Sequence, residues 1–276
     1  MEFYINDLNI SMLIEGASNS KYIDSKKVHG YLKDNSAPVI AVDTLSSTNT
    51  VLKRLADANA PDKTILVADN QTNGRGRLGK SFFSPDGSGI YMSLLVRKQF
   101  SGENITVVTP AVAVAMYNIL SSYADDVKIK WVNDIYVADK KVCGILTESS
   151  INSLGNTDYI VIGVGLNLFK PKNNFPTDIA NRATCLFNES VDINKEQLIA
   201  QIANEIFDII DNFNINYITE RYVNNSWLDG KSVTVIRGNE CFEADVIGIN
   251  QSLELVIRRD NGIVSISSGD VVVKAE

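Results

Sequence analysis

The amino-acid sequence predicts an α+β protein in which a mixed, largely antiparallel sheet is packed with helices and followed by a small C-terminal β-barrel. From Val39 onward, short apolar runs typical of strands alternate with segments of helical periodicity. From Gly230 onward, only short β-rich runs remain, divided by Asn and Gly turns, as in small barrels. These changes of pattern predict three parts: an N-terminal extension (1–37), a mixed domain (38–229) and the barrel (230–276).

The N-terminal extension is polar and weakly patterned, apart from a short helix predicted at 25–33. It is too short for a winged-helix domain, so we expect no sequence-specific DNA binding. The net charge of −7 agrees with this, because neutralising nucleic-acid phosphates takes clustered Lys and Arg. No apolar run approaches the ~18 residues of a membrane span, and the N-terminal stretch MEFYINDLNI lacks the basic-then-apolar pattern of a signal peptide. We therefore expect a soluble, cytoplasmic protein without membrane association.

Three elements of the mixed domain can be placed from local signals. Thr109 and Pro110 resemble an N-cap and a first-turn proline, which predicts a helix from there to about residue 121. The segment DIYVADKKVCGILTES reads as a hairpin turning at 138–140, so the sheet must be partly antiparallel. The run DYIVIGVGLNL predicts a strand that ends in a glycine-rich turn.

Two helices are predicted before the barrel. The clearest lies at 195–211, where apolar side chains recur on one face and Asn194 with Gln197 forms a capping-box-like start. A second helix is predicted at 217–227. The barrel strands are predicted from the runs VTVIRG, FEADVIGI, LELVIR, GIVSIS and DVVV.

Histidine and cysteine usage excludes several kinds of site. His29 is the only histidine and lies in a polar stretch, so catalytic triads and two-histidine metal sites have no support. Cys143, Cys185 and Cys241 are far apart and odd in number, which argues against disulfides and zinc. Any chemistry must therefore rely on Lys, Arg, carboxylates or the substrate's own reactivity.

The segment GRGRLGKS matches the P-loop pattern G-x-x-x-x-G-K-[ST], with Lys80 and Ser81 in the phosphate and magnesium roles. A P-loop needs a strand that leads directly into the loop and a helix that leaves it. Here the polar run NQTN precedes the loop, and Pro85, Gly87 and Gly89 follow it before the next strand. A P-loop phosphotransferase stays a minor alternative.

An anion-binding clamp is the preferred interpretation of the same segment. Gly74 and Gly76 let the backbone wrap closely around a ligand, and Arg75 and Arg77 supply charged donors. Arginine forks suit carboxylates and phosphates, which they bind bidentately. The plain alternative is a solvated turn with two salt-bridging arginines.

Five motifs in this order resemble the biotin protein ligase family: SSTN, Gln71 with GRGRLGKSFFSP, KWVND, KKVCGIL and GVGLN. The resemblance is strong from 42 to 167 and looser through FPTDIANRATCL to the barrel. It implies a class II synthetase-like catalytic domain and an SH3-like barrel. Val132 stands where the family usually has proline, and Cys143 where it often has Ala or Ser, which puts local backbone shape in question.

The resemblance implies ten biotin-binding residues: Ser47, Thr48, Asn49, Gln71, Gly74, Arg75, Gly76, Arg77, Lys141 and Gly144. The neutral side chains among them would hold the ureido ring in an otherwise apolar slot. Arg75, Arg77 and Lys141 would surround the biotin carboxylate and the α-phosphate of ATP, with Arg77 and Lys141 as catalytic residues that stabilise developing charge. Without the resemblance, SSTN would be interpreted as a helix N-cap and Lys141 as a solvated lysine.

The resemblance also implies six ATP-binding residues: Arg75, Arg77, Phe82, Asn133, Asp134 and Asn167. Phe82 would stack on adenine, with a core phenylalanine as the alternative. Asp134 is the expected contact for Mg²⁺, which usually takes few protein carboxylates and several waters. Asn133 and Asp134 are otherwise a common turn pair.

The implied activity is that of an ATP-dependent biotin protein ligase, an AMP-producing enzyme that forms a C–N bond. Biotin and ATP would give biotinyl-5′-AMP, and a lysine of a biotin carboxyl carrier protein would then take the biotin. This needs no enzyme nucleophile, in agreement with the single histidine. A lipoate or octanoate ligase of the same superfamily and a non-catalytic biotin-binding module are the alternatives. A homodimer is one oligomeric state that the resemblance allows.

Overall fold

The computed structural model of the protein describes residues 18–100, 104–153, 156–189, 191–260 and 262–274. Within these ranges the chain forms a seven-stranded sheet with helices on both faces and a separate five-stranded sheet. Predictions made for residues 1–17 lie outside the described residues.

The described helices are α1 (Ser25–Gly30), α2 (Thr48–Asp57), α3 (Asn104–Leu120), α4 (Lys195–Asp211) and α5 (Ile215–Asn224). The strands of the large sheet are β1 (Val39–Leu45), β2 (Ile65–Gln71), β3 (Gly89–Val96), β4 (Val127–Lys130), β5 (Asp134–Val137), β6 (Lys140–Ile151) and β7 (Thr157–Asn167). The strands of the small sheet are β8 (Ser232–Arg237), β9 (Glu240–Ile249), β10 (Leu255–Arg259), β11 (Gly262–Ile266) and β12 (Asp270–Val273).

The large sheet is mixed. Its strand order is β1-β2-β3-β7-β6-β5-β4, and only β1 and β2 pair in parallel. The small sheet, in the order β11-β10-β9-β8-β12, is antiparallel throughout. Its strands correspond to the five β-rich runs of the sequence. The predicted α+β fold, with a largely antiparallel sheet and a C-terminal β domain, is therefore confirmed.

Strand β7 shows why the two faces of the large sheet differ. Side chains alternate between the faces along a strand. The even-numbered residues from Ile160 to Leu166 belong to the main core, together with α3 and α4. On the opposite face Val161 packs with the apolar side of α2, but Gly163 and Gly165 follow it and have no side chains. A cavity opens on the α2 face where these glycines lie.

The GVGLN motif is therefore placed differently from the prediction. The sequence analysis assigned Gly163 and Gly165 to a turn, whereas both lie inside β7 and pair with β3 and β6. Glycine is disfavoured inside strands unless another group approaches the backbone closely. Side chains from other elements approach both glycines closely, and these contacts are described below with the cavity.

Helix α3 begins at Asn104 and not at Thr109, so Pro110 lies inside the helix. The predicted start was wrong. Residues 105–108 are all β-branched and have low helix propensity. Val107 and Val108 are buried in the main core, and this tertiary burial outweighs the propensity. In the described part of the chain, no helix is both long and apolar enough to cross a membrane.

Two other local predictions are confirmed. The β5–β6 hairpin turns at Ala138 and Asp139, whose φ angles of 47° and 60° are those of a type I′ turn. Helix α4 has the predicted bounds, and Asn194 Oδ1 accepts a 2.9 Å hydrogen bond from Gln197 N. The helix predicted at 217–227 is α5, which ends before Trp227.

Residues 18–37 pack against the rest of the chain. Ile23, Val28, Leu32 and Ala37 are buried in the main core. The buried Asp69 of β2 accepts hydrogen bonds from Ser20 Oγ and Lys21 N, each at 2.7 Å. This part of the N-terminal extension therefore contributes to the same core as the mixed domain.

We predict that Ile202→Ala lowers the free energy of unfolding by about 2–5 kcal/mol, the usual cost of a large-to-small change in a packed core. Ile202 is fully buried in α4. The control is Ile263→Ala on β11, where the side chain is 62% exposed and the change should stay within about 0.5 kcal/mol. Urea denaturation measures both, and equal losses would contradict the placement of α4.

Candidate active site

A cavity of about 570 Å³ opens on the α2 face of the large sheet. Its walls come from the start of α2, strands β5 to β7, the small sheet and residues 74–82, which we call the arginine loop. The predicted site residues that line the cavity are Ser47, Thr48, Asn49, Gln71, Arg75, Gly76, Arg77, Phe82, Asn133, Asp134, Lys141, Gly144 and Asn167. Gly74 belongs to the loop but does not line the cavity.

The neutral end of the cavity is built from the first turn of α2. Ser47 is the N-cap of this helix, and its Oγ accepts a hydrogen bond from Thr50 N at 3.5 Å. Thr48 donates to Gln71 Oε1 through its backbone N at 2.9 Å and its hydroxyl at 3.2 Å. Gln71 Nε2 in turn donates to Ser84 Oγ at 2.8 Å. The helix cap and the predicted binding residues are thus parts of one ordered turn.

Asn49 lies directly on the backbone of β7. Its Nδ2 donates to Leu146 O and to Glu148 Oε2, both at 3.1 Å, and its Oδ1 is 2.6 Å from Ser93 Oγ. A Cβ added to Gly163 would lie only 2.2 Å from Asn49 Oδ1. Glycine is therefore required at this position for Asn49 to approach the strand.

The ring of Phe82 lies directly over the second glycine of β7, Gly165. A Cβ on Gly165 would lie 2.5 Å from Phe82 Cε1, and one on Gly144 would lie 3.1 Å from Phe82 Cε2. The ring thus packs against the backbone of β6 and β7. Lys141 Nζ lies 5.7 Å from the ring centroid. The aromatic residue predicted for adenine is therefore next to the lysine predicted to be catalytic.

The arginine loop folds back on itself. Gly76 N donates to Lys80 O at 2.7 Å, and Phe82 N donates to Gly74 O at 2.8 Å. A Cβ on Gly74 would lie 2.3 Å from Phe82 O, so this glycine permits the closure. The chain continues from Ser81 without a helix as far as β3. This geometry is not that of a P-loop.

Two predicted catalytic cations lie close to the predicted nucleotide residues. Arg77 Nη1 donates to Asn133 Oδ1 at 3.2 Å. Burial lowers the pKa of Arg77, although the negative charges of Asp134 and Asp270 oppose this effect. Lys141 Nζ lies 2.7 Å from Asp134 Oδ1. The cavity therefore holds a partly desolvated guanidinium beside an ammonium–carboxylate pair, an arrangement suited to binding an anion.

Asn167 holds a segment of the cavity wall. Its Nδ2 donates to Thr184 O at 3.0 Å. The same segment pairs with the backbone of the predicted catalytic lysine, because Lys141 N donates to Arg182 O at 2.8 Å and Thr184 N donates to Lys141 O at 2.9 Å. Asn167 thus contributes to fixing the wall against which Lys141 is held.

Comparisons with known proteins identify the family of this chain. Residues 41–167 match the biotin/lipoate A/B protein ligase family, and residues 230–274 match the biotin protein ligase C-terminal domain. The bifunctional ligase/repressor BirA of Bacillus subtilis is 30% identical over 240 residues, which cover 83% of this chain and 72% of that protein. The chain belongs to the biotin protein ligase family. It is accordingly a ligase.

Two further relatives support this membership. The bifunctional ligase/repressor BirA of Escherichia coli is 26% identical over 259 residues, covering 92% of this chain and 78% of that protein. The solved structure of the Aquifex aeolicus biotin protein ligase in complex with biotin and ATP has a TM-score of 0.68 and 26% identity. The match covers 87% of this chain and 99% of the Aquifex aeolicus chain.

In this family member, Lys130 lines the cavity although the sequence analysis gave it no role. It lies within the KWVND motif, which is the sequence signal that could have identified it. Burial lowers its pKa, and its Nζ lies 5.4 Å from the Tyr136 ring and 5.9 Å from the Trp227 ring. The Trp131–Val132 peptide bond in the same motif is cis.

Asp270 of β12 is a second cavity residue without a predicted role. It forms an ion pair with Lys80 of the arginine loop. Burial alone would raise the pKa of Asp270, but Lys80 and Lys130 hold it below its usual value. The two partners are 190 positions apart, so no local pattern could reveal that the small sheet completes the cavity.

We predict that Gly163→Ala lowers the free energy of unfolding by about 1–3 kcal/mol, the usual cost of overpacking a dense interior. The new methyl group must displace Asn49, which is held by Ser93 and Leu146. Gly30→Ala is the control, because a Cβ there meets nothing within 4 Å. Urea denaturation compares the two, and a neutral Gly163→Ala would contradict the described contact.

Proposed function

We propose that this ligase joins biotin to a lysine of a biotin carboxyl carrier protein, at the expense of ATP, through biotinyl-5′-AMP. The observation that carries the proposal is that one cavity combines a neutral hydrogen-bonding end with a cationic end. Biotin has an uncharged polar ring at one end and a carboxylate at the other. The cavity therefore suits a molecule of this kind, with a nucleotide phosphate next to its carboxylate.

The neutral end would receive the ureido ring. Ser47, Thr48, Asn49 and Gln71 line this end. The amide groups of Asn49 and Gln71 already have protein partners, so these two would act mainly by shaping it. Small-molecule sites commonly combine an apolar slot with a few well-placed polar groups. The glycine backbone of β7 would form the floor beneath the ring system.

The cationic end would carry the first half-reaction. A biotin carboxylate oxygen attacks the α-phosphorus of ATP, and pyrophosphate leaves. Arg77 and Lys141 would stabilise the negative charge that develops, because fixed cations in a desolvated site need no reorganisation during the step. Asn133 would act through its hydrogen bond to Arg77, and Phe82 would pack beside the nucleotide.

The second half-reaction needs the carrier. Its neutral lysine amine attacks the carbonyl carbon of the mixed anhydride, AMP leaves, and the amine loses a proton to give the amide. Holding the two reactants in a near-attack arrangement can contribute roughly 7–11 kcal/mol of barrier lowering. No nucleophile from the enzyme is required in either step.

Asp134 is the carboxylate that we assign to Mg²⁺. Among the described residues there is no cluster of three or more His, Cys, Asp and Glu side chains. This fits Mg²⁺, which often binds through one or two carboxylates together with substrate phosphates. Asp134, which forms an ion pair with Lys141, would hold the ion. When bound, Mg²⁺ would screen the charge of the phosphates.

The alternatives differ in their acyl substrate or in having no reaction at all. The match of residues 230–274 to the biotin protein ligase C-terminal domain favours biotin over lipoate or octanoate. A non-catalytic biotin-binding module would not need two cations, Arg77 and Lys141, at the anion-binding end of the cavity. Four expectations remain predictions. They are the cytoplasmic location, the domain limits 38–229 and 230–276, a homodimer and the lack of sequence-specific DNA binding.

The deciding experiment is biotin-dependent exchange of labelled pyrophosphate into ATP with Mg²⁺, run in parallel with lipoate and octanoate. We expect exchange with biotin alone. Exchange with lipoate or octanoate instead would reassign the substrate. Biotin binding by folded protein without any exchange would leave a binding module and contradict the proposed activity.

We predict that Arg77→Ala and Lys141→Ala each reduce the rate of this exchange by about 10²–10³-fold, as when one electrostatic donor is lost from an active site. The control is Lys140→Ala, which removes the exposed neighbouring lysine and should leave the rate within about twofold. Circular dichroism verifies folding. Exchange at the wild-type rate in either cavity variant would refute the assigned roles.

A further inference from the structure

Glu148 of β6 lies at the point where the neutral end of the cavity meets the arginine loop. One oxygen, Oε2, accepts from Asn49 Nδ2 at 3.1 Å and from Arg75 Nη1 at 3.0 Å. The other, Oε1, lies 3.1 Å from Arg75 Nη1 and 3.3 Å from Lys53 Nζ. A single carboxylate thus connects α2, β6 and the arginine loop.

The environment of Glu148 favours its charged form. Its side chain is 16% exposed, and burial alone would raise its pKa. The Asn49 amide, Lys53 and Arg75 outweigh burial and hold the pKa below its usual value. Glu148 is partly buried whereas Arg75 and Lys53 are more exposed, so removing its charge releases the two cations to solvent at a modest cost.

Arg75 differs from Arg77 in what it contacts. The Arg77 guanidinium is bonded to a neutral amide near Lys141 and Asp134. The Arg75 guanidinium is paired with Glu148 and is 42% exposed. Arg77 is therefore the loop arginine that lies beside Asn133, whereas Arg75 pairs with a carboxylate of the sheet.

We propose that Glu148 is a positioning residue that joins Arg75 to Asn49 and so holds the arginine loop and the neutral end of the cavity in their binding arrangement. This rests on the proposed function for its effect on biotin, but its effect on the loop is independent of any activity. With the link in place, biotin meets a preformed pocket. Without it, binding must order the loop, and this ordering lowers affinity.

The variant Glu148→Gln tests this proposal with little change of shape. Glutamine keeps an oxygen that can accept from Asn49, but it loses the charge that holds Arg75. Lys53→Gln removes the other cation on the same carboxylate and leaves Arg75 in place. Glu205→Gln is the matched control, because Glu205 accepts from Asn118 Nδ2 at 2.9 Å in a part of the chain remote from the cavity.

The first readout is limited trypsin digestion without ligand, with mass spectrometry of the cut sites. The arginine loop contains three trypsin sites, at Arg75, Arg77 and Lys80. We expect Glu148→Gln to accelerate cleavage in the loop by about two- to tenfold, the range that coupled, partly buried charge pairs produce. Lys53→Gln and Glu205→Gln should be cleaved there at the wild-type rate. An unchanged rate in Glu148→Gln, or equal acceleration in all three variants, would overturn the proposal.

The second readout is pyrophosphate exchange. Glu148→Gln should raise the biotin KM by about two- to tenfold while kcat stays within about twofold, because binding is affected more than charge stabilisation. Combining it with Arg75→Gln should raise KM no further than either change alone. Additive effects, or an equal loss of kcat and kcat/KM, would contradict a positioning role. If the wild-type protein shows no exchange, the proposed function fails, and the digestion alone still decides whether Glu148 fastens the loop.

Discussion

The arrangement of the cavity depends on the absence of two side chains in the middle of β7. Gly163 and Gly165 lie on the face of the sheet that α2 covers, at positions where any Cβ would collide with Asn49 or Phe82. Because the backbone is bare there, one polar and one aromatic side chain can rest directly on it. Asn49 reaches Ser93 and Leu146 only through this approach. The glycines thus set the depth of the cavity and the position of both of its ends.

The charges of the cavity are balanced unevenly, and this decides where an anion would bind. Lys141 is paired with Asp134, Arg75 with Glu148 and Lys80 with Asp270. Arg77 donates instead to the neutral amide of Asn133, and burial weakens its solvation. Lys130 and Arg182 also line the cavity, and no ion pair to either is found among the described residues. An incoming carboxylate or phosphate would gain more from such cations, Arg77 among them, than from cations already paired with a carboxylate. We therefore propose that Arg77, the one of these cations that the arginine loop supplies, would bind the anion directly, while the paired cations would adjust the surrounding field.

Features that depend on local chemistry could be predicted from the sequence, and features that depend on distant contacts could not. The α4 helix, its Asn194 cap and the β5–β6 turn follow from periodicity, capping and turn geometry over a few residues. The start of α3 was misplaced because burial outweighs the signal of a cap and a proline. The GVGLN motif was assigned to a turn because a glycine pair usually indicates one. Here the reason for both glycines is side chains from other elements, which a single segment of sequence does not show.

Three asparagines of the cavity make the same kind of contact with the backbone. Asn49, Asn133 and Asn167 each donate Nδ2 to a backbone carbonyl of a neighbouring segment, those of Leu146, Ile145 and Thr184. The motifs SSTN, KWVND and GVGLN therefore each contribute an amide that ties two parts of the wall together. A buried amide with its donor group satisfied by protein is costly to redirect toward a ligand. We therefore propose that these motif residues would act on a ligand chiefly by keeping Arg77, Lys141 and the glycine floor in place.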